Sequence, residues 1–203
     1  MKNIVNGFLV VAFLIFYSPI IAQENNDTET LLGDKLPQLS DLGFYIAPAY
    51  QFTQLDEAAA SLFHIRGGIS YKKQFNIGGF YNVSLNQIYP SNEVLPNVYM
   101  DYWNAGGYVE YTVLSKKLVH VTLPIYLGYG EVQMDNEMGE LDLGEANFAT
   151  FEPNLLLEIN LHKYAKFNIG GGYRWVSEMN YRNFNQNDIS GITASVGFKF
   201  GIF

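Results

Sequence analysis

No cysteine occurs in the 203 residues. That excludes a disulfide scaffold, a Cys-ligated zinc or iron–sulfur centre, a thiol nucleophile and a lipoprotein anchor. Basic residues are scarce, with 12 Lys and Arg against 20 Asp and Glu and a formal net charge of −8. Nucleic acid is therefore not an expected partner, because phosphate backbones need a basic surface. Mean hydropathy is close to zero, too polar for a bundle of membrane helices. Beyond the N-terminal segment no stretch keeps a helical period. What is abundant is Tyr and Phe, 15 of each, together with 19 Gly. That composition suits strands, and lipid is one solvent for them.

The N-terminus reads as an address. Lys2 is followed by an apolar run from Gly7 to Tyr17, then by Pro19 and by Ala22 at a small-residue cleavage position. The run is short of the ~20 residues that span a bilayer as a helix. Residues 1–22 are expected to be a cleaved signal peptide, which takes the chain out of the cytoplasm and away from ATP, NAD and similar cofactors. Residues 23–42 are polar and acidic, the pattern of a flexible periplasmic leader. Residues 43–203 form the remaining domain.

That domain repeats a run of alternating residues followed by a turn or loop. In the last run Ile192, Ala194, Val196, Phe198, Phe200 and Ile202 share one face, and Gly191, Thr193, Ser195, Gly197, Lys199 and Gly201 share the other. Successive strand side chains point to opposite faces, so the segment has one greasy face and one small or polar face. The same split recurs in seven upstream runs, for example Phe44, Ile46, Pro48, Tyr50 and Phe52 against Tyr45, Ala47, Ala49 and Gln51. Eight strands are expected. Pro48, Pro124 and Pro153 lie inside these runs and predict a bulge or strand end at each.

The charges decide which face meets which solvent. A strand surface in water carries many charges. Here only Arg66, Glu110, Glu152, Glu158, Arg174 and Lys199 lie near strand centres, all on the Gly- and Asn-rich face. The greasy face is therefore assigned to lipid and the polar face to a narrow lumen. Short basic connections, at 72–74, 115–117 and 162–166, alternate with longer and mostly acidic ones, near 54–61, 87–98, 133–147 and 177–188. Tight turns on one side and long loops on the other predict an all-β, eight-stranded, antiparallel, up-and-down transmembrane β-barrel. Closure leaves no unpaired edge in lipid. Rings near strand ends, such as Tyr71, Tyr81, Trp103, Tyr111, Tyr129 and Trp175, suit the two interfaces.

The chain ends Val196-Gly197-Phe198-Lys199-Phe200-Gly201-Ile202-Phe203. With this strand and the eight-run layout, residues 43–203 resemble the small eight-stranded outer-membrane barrels of the OmpA/OmpX-like class, in a Bacteroidota-type form. The resemblance implies a bacterial outer-membrane location, outer-membrane lipid as the surroundings, and a monomer. It also implies an assembly signal in Phe198, Phe200 and Phe203, read by the barrel-assembly machinery during biogenesis. Phe203 is out of phase with the other two, which predicts a bulge or an off-face terminus.

Two constellations stand out. Arg66, Arg174 and Lys199 are expected to pair with Glu110, Glu152 and Glu158 inside the barrel, since buried charges need partners. Such a network reads as a structural plug, or alternatively as the lining of a narrow channel for small solutes. Asp135, Glu137, Glu140, Asp142 and Glu145 make an acidic external loop, read as solvated or as a weak cation loop. No cofactor, no dedicated metal site and no catalytic residues are expected. Some barrels of this size act on lipid A, but His120-Val121-Thr122 offers Thr where a Ser nucleophile is wanted and lies beside a short turn. A lipid-modifying enzyme is the least supported alternative. The leading expectation is a non-enzymatic barrel with a structural or surface-interaction role.

Overall fold

A computed structural model describes residues 41–136 and 143–203. Alternation gives way to strands wherever it was sustained: β1 (Leu42–Leu55), β2 (Ala58–Tyr71), β3 (Phe75–Ser84), β4 (Val98–Val113), β5 (Val119–Asn136), β6 (Glu145–His162) and β7 (Ala165–Val176). A small hairpin, β8 (Asn180–Tyr181) and β9 (Phe184–Asn185), one helical turn, α1 (Gln186–Ile189), and β10 (Gly191–Ile202) follow. β1–β7 and β10 close into one ring in the order β1-β10-β7-β6-β5-β4-β3-β2. Every pairing is antiparallel, and β10 meets β1 through contacts such as Phe44 with Ile202 and Phe52 with Ala194.

The greasy phase of each strand points outward. Phe44, Ile46, Ile77, Val109, Leu127, Leu155, Ile192 and Ile202 are all exposed, while Tyr45, Ala47, Glu110, Tyr126 and Glu158, on the opposite phase, are buried. Small inward residues make room for the large ones. At Gly128 a Cβ would stand 2.8 Å from the ring tip of Phe80, so glycine there admits the ring.

The prolines break the ladder without moving it. Residues 46 and 49 of β1 both keep register with β10, at Phe200 and Gly197, across the two rungs around Pro48. Pro124 leaves the same gap toward β6, between Thr122 with Leu156 and Ile125 with Pro153. Pro153 leaves it toward β7. A missing N–H costs a rung, and neighbouring rungs hold the register, so no bulge is needed. The one register shift lies elsewhere, between Asn160 and His162.

The expected loop at 54–61 is a correction. β1 and β2 run on to a two-residue turn, Asp56-Glu57, with φ of 47° and 64°. The strand simply continues through Ala58, Ala59 and Ala60, whose small side chains read as a loop by composition. At that end the longer connections are thus three: 85–97, 137–144 and 177–190. At the other end all three are short: 72–74, 114–118 and 163–164.

β4, β5 and β6 have 16, 18 and 18 residues, more than the roughly 9–11 a tilted span requires. Their excess stands above the long-loop end of the ring. There Met100, Val132, Met134 and Phe148 pack against Ile88, Met179, Tyr181, Phe184 and Ile189 from the connections. The long-loop mouth is therefore closed by an apolar core of its own.

Candidate functional site

Below that core the lumen is polar. Four strands bring four of the charged residues together. Lys199 of β10 lies 2.7 Å from Glu110 of β4 and 2.5 Å from Glu158 of β6. Arg66 of β2 lies 3.5 Å from Glu110 and 3.7 Å from Glu158. All four are at most 2% exposed. Closure of the ring makes this possible, because it sets residues far apart in sequence across an interior only wide enough for side chains.

Two more groups join that were not among the six singled out. His120 Nε2 is 3.1 Å from Glu158 Oε2, and Lys166 Nζ is 3.5 Å from the same oxygen. Lys166 belongs to β7, not to the turn where composition placed it; its phase, two residues before inward Asn168, was the available signal. Asn76 donates to Glu110 at 2.7 Å, and Arg66 donates to Tyr126 at 3.1 Å. Tyr45 and Tyr108 share a hydrogen bond through their hydroxyls.

Arg174 and Glu152 stand apart from this cluster. Arg174 donates through Nε and Nη2 to the carbonyl of Ile189, at 3.2 and 2.9 Å, and through Nη2 to Thr53 at 3.2 Å. Its guanidinium lies over the Tyr102 ring, 4.9 Å from the centroid. The carboxylate partner expected for Arg174 is replaced by the end of α1, which no periodicity announced. Glu152 is held by neutral donors: Gln51 at 2.9 Å, Thr193 at 2.9 Å and Asn154 at 3.1 Å. Arg174 thus ties the last connection to the barrel, while Glu152 staples β1, β6 and β10.

The terminal aromatics divide. Phe198 and Phe200 point outward and stack with centroids 6.0 Å apart. Phe203 leaves that face. Its ring sits 6.3 Å from that of Tyr45, and Lys166 Nζ lies 4.3 Å from its centroid. The out-of-phase terminus therefore covers the short-turn mouth of the lumen.

Of the acidic loop set, Asp135 lies in β5 and Glu145 in β6; Glu137, Glu140 and Asp142 lie outside the described residues. Among the described residues, no group of three or more His, Asp or Glu could hold a metal ion. His120 is buried against Glu158 and the Lys117 carbonyl, away from the outer wall. The connections at the long-loop end are tied to one another. Arg182 donates to both Glu93 oxygens at 2.9 Å, and Asn183 donates to the Asn92 carbonyl at 3.1 Å. Burial works to raise the Glu93 pKa, but bonds from Arg182 and from the amides of Leu95 and Val94 outweigh it, and the carboxyl is held below its ordinary value.

A closed eight-stranded ring with an apolar outside and a charged inside is the fold of the small outer-membrane barrels of the OmpA/OmpX-like class. Two solved structures carry the likeness. Neisserial surface protein A matches with a TM-score of 0.59 at 13% identity, covering 79% of this chain and 97% of its own. A major outer membrane protein from Thermus thermophilus matches with a TM-score of 0.54 at 8% identity, covering 79% and 99%. No family model and no curated protein matches the sequence.

Proposed function

We propose that this chain is a non-enzymatic integral barrel of a bacterial outer membrane, delivered through a cleaved signal peptide, with a structural or surface-interaction role. The observation that carries the reading is the inversion of polarity. Large apolar side chains such as Ile77 and Ile192 are 62% and 74% exposed, while Arg66 and Lys199 are at most 2% exposed. That is the arrangement for lipid outside and paired charge inside. The similar structures are named as a surface protein and an outer membrane protein, which agrees with this reading. It includes outer-membrane lipid as the surroundings, the assembly machinery as a transient partner acting on the terminal strand, and a monomeric state.

The lumen favours a plug over a channel. Its cross-section is taken up by Arg66, Lys199, Glu110, Glu158 and the tyrosines, with Phe203 below and the apolar cap above. The test is refolding into lipid vesicles. Heat-dependent migration in detergent gels and strand-rich circular dichroism are expected, with no discrete conductance in planar bilayers. A soluble, lipid-indifferent monomer would overturn the membrane reading; discrete steps would overturn the plug.

A further inference from the structure

We propose that the short-turn end is a binding collar for the phosphate headgroups of anionic phospholipid in the periplasmic leaflet. The inference rests on the membrane reading above. Lys72, Lys73, Lys116, Lys117 and Lys163 are all exposed and lie in the three short turns of that end. Among the described residues, Asp41 is the one acidic side chain in or beside those turns. At the opposite end Glu57, Asp101, Glu145 and Glu178 are exposed; among the described residues Arg182 is the one exposed basic side chain there, Arg174 being buried against Ile189. The described barrel is thus polarised along its axis, and on the membrane reading its basic end faces the leaflet where phospholipid, not glycolipid, is the expected neighbour.

Apolar groups are interleaved with the lysines. Leu114, Leu118, Leu161 and Tyr164 are 65%, 67%, 58% and 50% exposed in or beside the same turns. Lys72 lies over the Tyr71 ring at 5.1 Å, and Lys163 over the Tyr164 ring at 4.8 Å. Leucines that dip toward acyl chains beneath ammonium groups that reach phosphates form the pattern of an interface anchor. A soluble acidic protein would leave those leucines in water.

Turn energetics do not explain the lysines. Lys72 and Lys73 both adopt left-handed backbone, with φ of 50° and 60°, in a turn closed by Gln74 N–H donating to the Tyr71 carbonyl at 3.1 Å. Two successive left-handed positions favour Asn-Gly, and side chains such as Lys are strained there. What the pair supplies is charge at the tip.

The test places the refolded protein in phosphatidylcholine bilayers containing about one-third phosphatidylglycerol and measures association of spin-labelled phosphatidylglycerol against spin-labelled phosphatidylcholine. About threefold or greater preference for phosphatidylglycerol is expected, falling toward parity at high salt. Lys72→Gln/Lys73→Gln and Lys116→Gln/Lys117→Gln should each lower it, and the variant that adds Lys163→Gln to both pairs should abolish it. Arg182→Gln at the far end should leave it unchanged. Insertion without headgroup preference, or preference indifferent to the lysines, overturns the collar alone. Failure to insert into any bilayer overturns the membrane reading instead. Binding of soluble polyglutamate with the same lysine dependence, and no lipid selectivity, would assign the surface to an acidic protein and overturn the proposal.

Discussion

Glu158 is the most crowded carboxylate of the lumen, with Lys199, His120, Lys166 and Arg66 all within 3.7 Å. Replacing it removes the carboxylate that holds Lys166 and one of the two that hold Lys199 and Arg66, and removing one partner of a buried pair typically costs about 3–5 kcal/mol. Glu158→Gln is therefore expected to destabilise by about that much in urea unfolding from lipid. Lys199→Met added to it should cost less than the two single changes summed. Strict additivity would mean the two side chains do not interact. A cycle on Arg174→Met and Glu152→Gln should show much smaller coupling, because each group is satisfied by different neutral partners. Which residues face inward was legible in the sequence, since phase alone sets it. Which inward residues touch was not: β2, β4, β6 and β10 meet only through closure, and side-chain direction along the axis carried Arg174 up to Ile189 instead of sideways to a carboxylate.

At the scale of elements, period two located all eight barrel strands, because each must present lipid with one face and the lumen with the other. It failed where both constraints lapse. Above the membrane, β5 and β6 continue to Asn136 and from Glu145 with polar outward residues, so those ends read as loop. The hairpin β8–β9 and α1 are too short to show any period. These connections are joined by the Glu93–Arg182 pair, which gives a pH dependence with a definite sign. The folded-state pKa of Glu93 is depressed. Its contribution is thus present above the ordinary carboxylate range and lost as pH falls through the depressed value. Limited proteolysis of the 85–97 connection should accelerate on acidification, measured with a protease active from acid to neutral pH and normalised to an unstructured peptide control. Arg182→Gln should raise the rate at neutral pH and flatten the acid response. An acid response unchanged in that variant would assign it to another group.

For the whole molecule, the decisive property is the pairing of an apolar wall with opposite charge at the two ends. The wall is tested by charge insertion. Val196→Arg and Leu157→Arg place a cation on the outward phase well inside β10 and β6, and each should cost about 2–4 kcal/mol in lipid. Both variants assembling as readily as the parent would mean that the outward face does not meet lipid. The ends are tested by topology on intact cells. The long-loop end offers trypsin one described site, Arg182, and that side chain is held by Glu93. The five turn lysines lie at the other end. Trypsin added to intact cells should therefore leave the turns uncut, while a glutamate-specific protease can act at exposed Glu178 in the connection before β10. Permeabilising the outer membrane should then open Lys72-Lys73 and Lys116-Lys117 to trypsin, to the extent that headgroups do not shield them. Mass spectrometry of the fragments distinguishes the sites. Cleavage at the turn lysines before permeabilisation, with Glu178 spared, would invert the barrel; it would set the acidic long-loop end in the periplasm and leave the basic turns facing the medium.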